Sequence, residues 1–240
     1  MSMIRDALEY IQGLKENKDG IHEIDGRKYW SKNGNLTAAF PPERTSIELS
    51  TLDGLIAFIK AEELESKSLV QVYSPIEVRL IGFPDDTWNS RENFATVEPV
   101  VNGGFTYDTY MDSEFFIIHL MSNFLETKDR QTILKIVGNL QDEAVRTLAD
   151  DGVTQVAVVK KGLKAVAAEI KNPVRLKPIR SFPEIEQPES LFVFRMKGGG
   201  DGKLPTVALH QVHDGQWQLY CMSMIRRYLL DKMPGLEVVV

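Results

Sequence analysis

The histidines, the single cysteine and the carboxylates are the residues of this chain that could carry chemistry, and their spacing decides which chemistry is open to them. His210 and His213 stand in a His-x-x-His spacing. Their surroundings read as a strand, on which residues three apart face opposite sides, so they converge on a metal only where a turn bends them together, and no third ligand is evident. Cys221 with His210 offers a nucleophile and a base across neighbouring strands, but no orienting carboxylate or helix N-terminus is legible beside them. Gly198-Gly199-Gly200-Asp201-Gly202-Lys203 invites a phosphate-loop reading and departs from it in detail. Lys203 is followed by Leu204, Lys197 stands where the first glycine is required, and Pro205 with a strand follows in place of a helix. Asp85-Asp86, Asp108 with Asp112, and Asp150-Asp151 are the candidates for hard cations or acid-base work. None has the ligand spacing of a calcium loop or the separated partners that hydrolysis requires, and turns and helix caps account for Asp112, Asp150 and Asp151. His119 reads as a satisfied core or interface histidine beside Phe115 and Phe116, and His22 as a surface loop residue. No catalytic residue, cofactor or metal is assigned, and the balance leans away from an enzyme. One alternative keeps a hydrolase in the 82–99 loop, working with His210 or His213.

Two stretches present surfaces instead. Arg27-Lys28-Tyr29-Trp30-Ser31-Lys32 interleaves cations and aromatics as a single-strand nucleic-acid surface does, with rings to stack on bases and cations to follow phosphates. Its candidate residues are Arg27, Lys28, Tyr29, Trp30 and Lys32, and Arg175, Lys177 and Arg180 form a second basic patch. A net charge of -6 and the ease with which Trp30 fits a core weigh against that reading. The second stretch is Gly235 to Val240, a β-branched run placed just after a helix stop. Leu236, Val238, Val239 and Val240 are costly to leave in water and tend to pair with a sheet edge. That edge belongs either to the same subunit or to a neighbour, and the second case makes the protein a homo-oligomer.

The elements that must position these residues follow from periodicity. With 240 residues, 43% hydrophobic and 26% charged, the chain has the balance of one large or two small globular domains. Ile4, Leu8, Ile11 and Leu14 predict an amphipathic helix, and Asn33-Gly34 between Ile24–Trp30 and Leu36–Phe40 predicts a hairpin. Ser50-Thr51-Leu52-Asp53 predicts a helix cap with an acidic third position, and Leu52, Leu55, Ile56 and Ile59 the buried stripe behind it. Strands are expected at Leu69–Tyr73 and Ile76–Ile81. From Gly82 to Pro99 periodicity fails, which predicts a polar loop and a boundary between residues 1–99 and 100–240. Asp112-Ser113 caps a helix carrying Phe116, Ile117, Leu120, Met121 and Phe124, and Ile133–Leu140 pairs with it as a helical hairpin or one kinked helix. Further strands fall at Val153–Val159 and Val174–Arg180. Ser181 to Pro188 reads as an extended lead-in to a strand at Leu191–Met196, interior because both its faces are apolar. Then come a Gly-rich loop, a strand at Thr206–Val212, an Asp214-Gly215 turn, a strand placing Trp217, Leu219 and Cys221 on one face, and a helix from Met222 to Met233. The expected class is α+β with largely antiparallel or mixed sheets, ending in a strand-loop-strand-turn-strand-helix meander.

The single cysteine excludes an intramolecular disulfide and reads as a buried structural thiol in a reducing interior. No apolar run approaches the roughly 18 residues of a membrane span, so a soluble, cytoplasmic protein is expected.

Several phrases occur in an order that resembles a known family. Gly138-Asn139-Leu140, Asp151-Gly152-Val153-Thr154-Gln155, Asn172-Pro173-Val174-Arg175-Leu176, Ser181 to Pro188 and Phe192-Val193-Phe194-Arg195 look like the YfdQ-like bacteriophage and prophage proteins, a domain of unknown function. The resemblance covers Ile133 to Met233, with an echo in Thr51 to Leu55, and none of its phrases is a motif for a known chemistry. It implies phage or prophage origin and action inside a bacterial host cell. The leading expectation is therefore a non-enzymatic phage accessory protein that self-assembles, and the alternative is a phage protein that binds single-stranded nucleic acid through the basic, aromatic hairpin.

Overall fold

A computed structural model describes residues 19–24, 27–32, 35–39, 45–86, 89–100, 104–140, 147–150, 154–161, 164–197, 205–212 and 215–240. Among the described residues the first elements are β1 (Asp19–Ile24), β2 (Arg27–Lys32), β3 (Asn35–Ala38), β4 (Ile47–Leu49), α1 (Leu52–Ala61), β5 (Ser68–Ser74), β6 (Glu77–Gly82) and β7 (Asn93–Val97). It continues through β8 (Met111–Asp112), α2 (Ser113–Asn123), β9 (Phe124–Leu125), α3 (Lys128–Leu140), β10 (Thr147–Asp150), β11 (Thr154–Lys161) and β12 (Lys164–Lys171). It closes with β13 (Val174–Pro178), β14 (Ser190–Lys197), β15 (Thr206–Gln211), α4 (Gln216–Lys232) and β16 (Glu237–Val239). The fold is α+β, as the periodicities predict, with sheets ordered β1-β2-β3, β10-β11-β12, β8-β15-β14-β13-β9 and β16-β5-β6-β7-β4.

The last of these sheets carries the first core. Side chains alternate along β5, β6 and β7, so Val70, Val72, Val78, Leu80, Ala95 and Val97 share one buried face. Leu52, Leu55, Ile56 and Ile59 of α1 close over it, as their spacing predicts. From the other end of the sequence α4 adds Cys221, Ile225 and Leu229, one per turn, and the lead-in adds Phe182 and Ile185. Each such Leu or Ile contributes roughly 1.5–3 kcal/mol. The residues of this core fall on both sides of the boundary expected at residue 99, and β16 pairs in parallel with β5.

The second core lies between the β8-β15-β14-β13-β9 sheet and the pair α2 and α3. It is aromatic: Phe105 meets Phe116 and Phe124 edge-on, Phe116 meets Phe194, and Tyr107 stacks on Phe192 at 5.4 Å. β14 is interior, between β13 and β15, with Phe192, Phe194 and Met196 buried, as its two apolar faces predict. The helical hairpin is also present, broken at β9.

Three expectations need correction. The stretch from 217 to 221 is helix from Gln216 onward, entered through Gly215 at φ 95°. Trp217, Cys221, Ile225 and Leu229 continue one four-residue period, whereas Leu219, which an alternating strand would bury with Cys221, is 70% exposed. Among the described residues the expected third meander strand is thus replaced by the first turns of α4. The 82–99 loop is interrupted by β7, which pairs with β6 on one side and β4 on the other. Finally, the cap of α1 is Thr51, whose Oγ1 accepts the Gly54 N–H at 3.0 Å, so Gly54 and not Asp53 takes the third position. The N-terminal helix, the Asn33-Gly34 turn and the Gly198–Lys203 loop lie outside the described residues, although β2 and β3 pair across 33–34 as a hairpin requires.

Candidate functional site

The best-oriented ionisable pair is one the sequence hides. His210 on β15 shares a 2.8 Å hydrogen bond through Nδ1 with Asp108 Oδ1, across 102 residues. Asp108 is delivered by the loop before β8, held at φ 60° with its N–H on the Leu209 carbonyl at 2.9 Å. The Tyr110 ring stands edge-on to the imidazole at 6.1 Å, and Lys197 Nζ lies 3.9 Å over that ring. An aspartate that accepts from Nδ1 fixes the tautomer and leaves Nε2 as an acceptor, the posture of a general base. This is the orienting carboxylate that sequence spacing could not supply. A base also needs a nucleophile, and Cys221 does not provide it. The cysteine lies on α4 in the first core, fully buried, with the Ser181 hydroxyl as its hydrogen-bond partner, and burial pushes its thiol pKa up. A buried, protonated thiol is a poor nucleophile.

Among the described residues no three His, Cys, Asp or Glu side chains gather as metal ligands, and His213 lies outside them. Asp85 closes a turn by accepting the Ser90 N–H at 3.0 Å, and Asp112 caps α2 by accepting the Phe115 N–H at 2.9 Å. Asp150 ends β10, while Asp151 is outside the described residues. His119 sits 6.4 Å from Phe105, edge-on, within reach of Asn123.

Around Arg180 a second cluster forms. Its guanidinium stacks on Trp217 at 4.1 Å and donates to Ser190 Oγ at 2.5 Å, while its backbone N–H is accepted by the buried Gln187 side chain at 3.0 Å. A 690 Å³ cavity opens beside it between Gln187, Pro188, Ser190, Trp217 and Tyr220. Lys177 at its rim is bound to Glu186 at 3.1 Å, and Arg175 lies 3.6 Å from Glu189. Two of the three cations of the second basic patch, Arg175 and Lys177, thus lie against carboxylates. Burial lifts the Tyr107 hydroxyl to about 12, partly offset by the charge of Arg180.

The candidate nucleic-acid residues lie on β2, the middle strand of the β1-β2-β3 sheet. Alternation puts Arg27 and Tyr29 on the face opposite Lys28 and Trp30, so the run does not make one continuous surface. Trp30 is 45% exposed and is therefore not a core residue, while Lys28 lies opposite Glu23. Lys32 ends the strand opposite Asp19.

Of the tail residues, Leu236 is buried in the first core and Val238 packs against it, whereas Val239 and Val240 are exposed. β16 is the edge strand of its sheet, and Arg226 Nε donates to the Val238 carbonyl at 3.3 Å. The tail thus pairs within its own subunit and leaves an outer edge.

A further surface lies on α2, one of the helices whose apolar run offers contact surface. α2 is apolar on both sides: Phe116 and Leu120 are buried, while Phe115, Ile118 and Met121 are 60, 54 and 58% exposed. Met121, one of the apolar residues the sequence assigns to this helix, faces outward, because residue 121 lies about 100° round the helix from 120. The signal is present in Phe115-Phe116-Ile117-Ile118, an apolar run that no single face can absorb. Among the described residues no helix is long and apolar enough to cross a membrane. No protein-family model, no curated protein and no solved structure matches the chain.

Proposed function

We propose that this chain is a non-enzymatic phage or prophage accessory protein, acting in the bacterial cytoplasm, that works by assembling into a homo-oligomer. The phage assignment is supported by the resemblance of its 133–233 phrases to the YfdQ-like proteins. Self-association is carried by one observation: β16, the last strand, lies at a sheet edge and ends in the exposed Val239 and Val240. An edge strand presents backbone groups to another chain; on β16 the Val238 carbonyl is already held by Arg226, and the exposed β-branched side chains favour pairing along the remainder. Sedimentation of the full chain from about 1 to 100 μM tests the reading, with an expected mass of at least two subunits. A monomer throughout rules it out. Removing residues 236–240 would also remove buried Leu236, so the tail is tested by Val239→Lys with Val240→Lys, which charges the edge and leaves the core intact.

A second reading has its own observation, the exposure of Trp30 beside Lys28 on β2. Binding of single-stranded DNA or RNA that weakens with salt, and that is lost in Lys28→Glu with Trp30→Ala, is its expected result. Absence of retention at about 50 mM salt, where phosphate contacts are strong, refutes it.

A further inference from the structure

The outer face of α2 is apolar and exposed. Phe116, Leu120 and Asn123 turn inward, and the opposite side carries Glu114, Phe115, Ile118, Met121 and Ser122, all exposed. A solvent-facing helix ordinarily places charged residues there. The three large side chains are symmetric about Ile118: Phe115 lies three residues before it and Met121 three after. Glu114 and Ser122 stand four residues to either side. The two ends differ in charge. Asp112 and Glu114 mark the N-terminus, while at the C-terminus the Arg130 guanidinium is seated on the Leu120 and Met121 carbonyls, at 3.1 and 2.9 Å, next to exposed Lys128. Of the acids at that end, Glu126 is hydrogen-bonded to Gln131 and Asp129 accepts the Arg175 N–H at 2.7 Å.

Resting on the self-association reading above, we infer that α2 packs antiparallel against the α2 of a second copy, across a two-fold axis at Ile118. Ile118 then meets its own counterpart, and Phe115 meets Met121 of the other copy twice, a sulfur-to-ring contact that Met favours. Glu114 of each copy faces the Arg130 end of the other, and the two helix dipoles run opposed. An isologous contact requires this kind of self-complementary pattern, in which each residue's partner also occurs on the same surface. The three side chains expose on the order of 300 Å² of apolar area, the low end of the largest patch a monomer carries, so the face needs its flanking residues to complete a contact. They form the centre of an interface that needs roughly 800 Å² per partner, the charged ends supplying the rim.

The test uses the full chain carrying Ile118→Cys. Cys221 is buried, so the new thiol is the exposed one. Oxidation is expected to give a covalent dimer on denaturing gels, because helices about 8–10 Å apart bring the two introduced thiols, one from each copy, within disulfide reach. Leu219→Cys, at another exposed site, is the control and is expected to stay monomeric on the gel. In parallel, Ile118→Glu is expected to lower the sedimenting mass at least twofold without changing the circular dichroism. Wild type that is oligomeric, with unchanged mass in Ile118→Glu and no cross-link in Ile118→Cys, overturns this inference and leaves self-association standing. A wild-type monomer at every concentration overturns both. Should Ile118→Glu fail to fold, the cross-link alone decides.

Discussion

Tyr228 shows how a surface residue acquires a pH dependence from its neighbours. Its hydroxyl donates to Asp53 Oδ1 at 2.7 Å, and that hydrogen bond, partial burial and the charges of Asp53 and Glu184 push the phenol from its ordinary 10 up to about 12. The folded state therefore holds this proton more tightly than the unfolded chain does. The contribution is complete below about pH 10 and is lost as pH rises toward about 12, where the folded phenol also ionises. Tyr228→Phe is expected to flatten the alkaline fall in unfolding free energy over that window and to remove a phenolate transition near 12 from the ultraviolet titration. An unchanged titration would refute the assignment. Cys221 is legible in part: its burial follows from an apolar neighbourhood, but not its place on a helix. Trp217, Leu219 and Cys221 fit a period of two as well as Trp217 and Cys221 fit a period of four, and only the turn at Gly215 settles which applies. Its folded thiol is expected to resist a thiol reagent until the protein unfolds, measured by colour release with and without denaturant. Rapid labelling of the folded protein would contradict that.

At the scale of elements, α1 is a helix whose body is legible in the sequence and whose beginning is not. Four apolar residues at helical spacing dictate its buried face, and all four are buried. Its N-terminus, however, is satisfied from 132 residues away, where Glu184 Oε1 accepts the Leu52 N–H at 2.7 Å. The same oxygen also accepts the Asp53 N–H at 3.5 Å, so together with Thr51 this carboxylate satisfies three of the helix's free donors and complements its dipole. Sequence windows contain the local cap but cannot contain a cap brought in by tertiary structure. The same limit hides Asp108 from His210. Glu184→Gln keeps an acceptor and removes the charge, so it is expected to cost about 0.3–1 kcal/mol. Thr51→Ala with Glu184→Ala is expected to cost roughly 1–3 kcal/mol, each cap lying within the usual range. Denaturant midpoints at constant slope measure both, and a double variant as stable as wild type would show that neither group caps the helix.

At the scale of the molecule, the two proposed contact surfaces sit on different cores. β16 edges the sheet of the first core, and α2 covers the second. The exposed edge strand is legible because a β-branched run stands out directly after the helix stop at Pro234-Gly235. The apolar run of α2 is legible too, but not which of its sides stays outside, because a helix apolar on both sides loses the contrast from which amphipathicity is read. Two isologous contacts on one subunit have a geometric consequence. If α2 pairs across one two-fold axis and β16 pairs edge to edge across another, the assembly either closes as a dihedral tetramer or runs on as an open string. Each contact alone gives a dimer. Val239→Lys with Val240→Lys is therefore expected to leave a dimer that still cross-links through Ile118→Cys. Ile118→Glu is expected to leave a dimer that the lysines at 239 and 240 dissolve, and the triple variant to sediment as a folded monomer. Sedimentation velocity on the three proteins reads all of these at once. A folded triple variant that keeps the wild-type mass would place the contacts elsewhere on the surface, and a wild-type dimer abolished by either change alone would mean that both elements belong to one continuous interface.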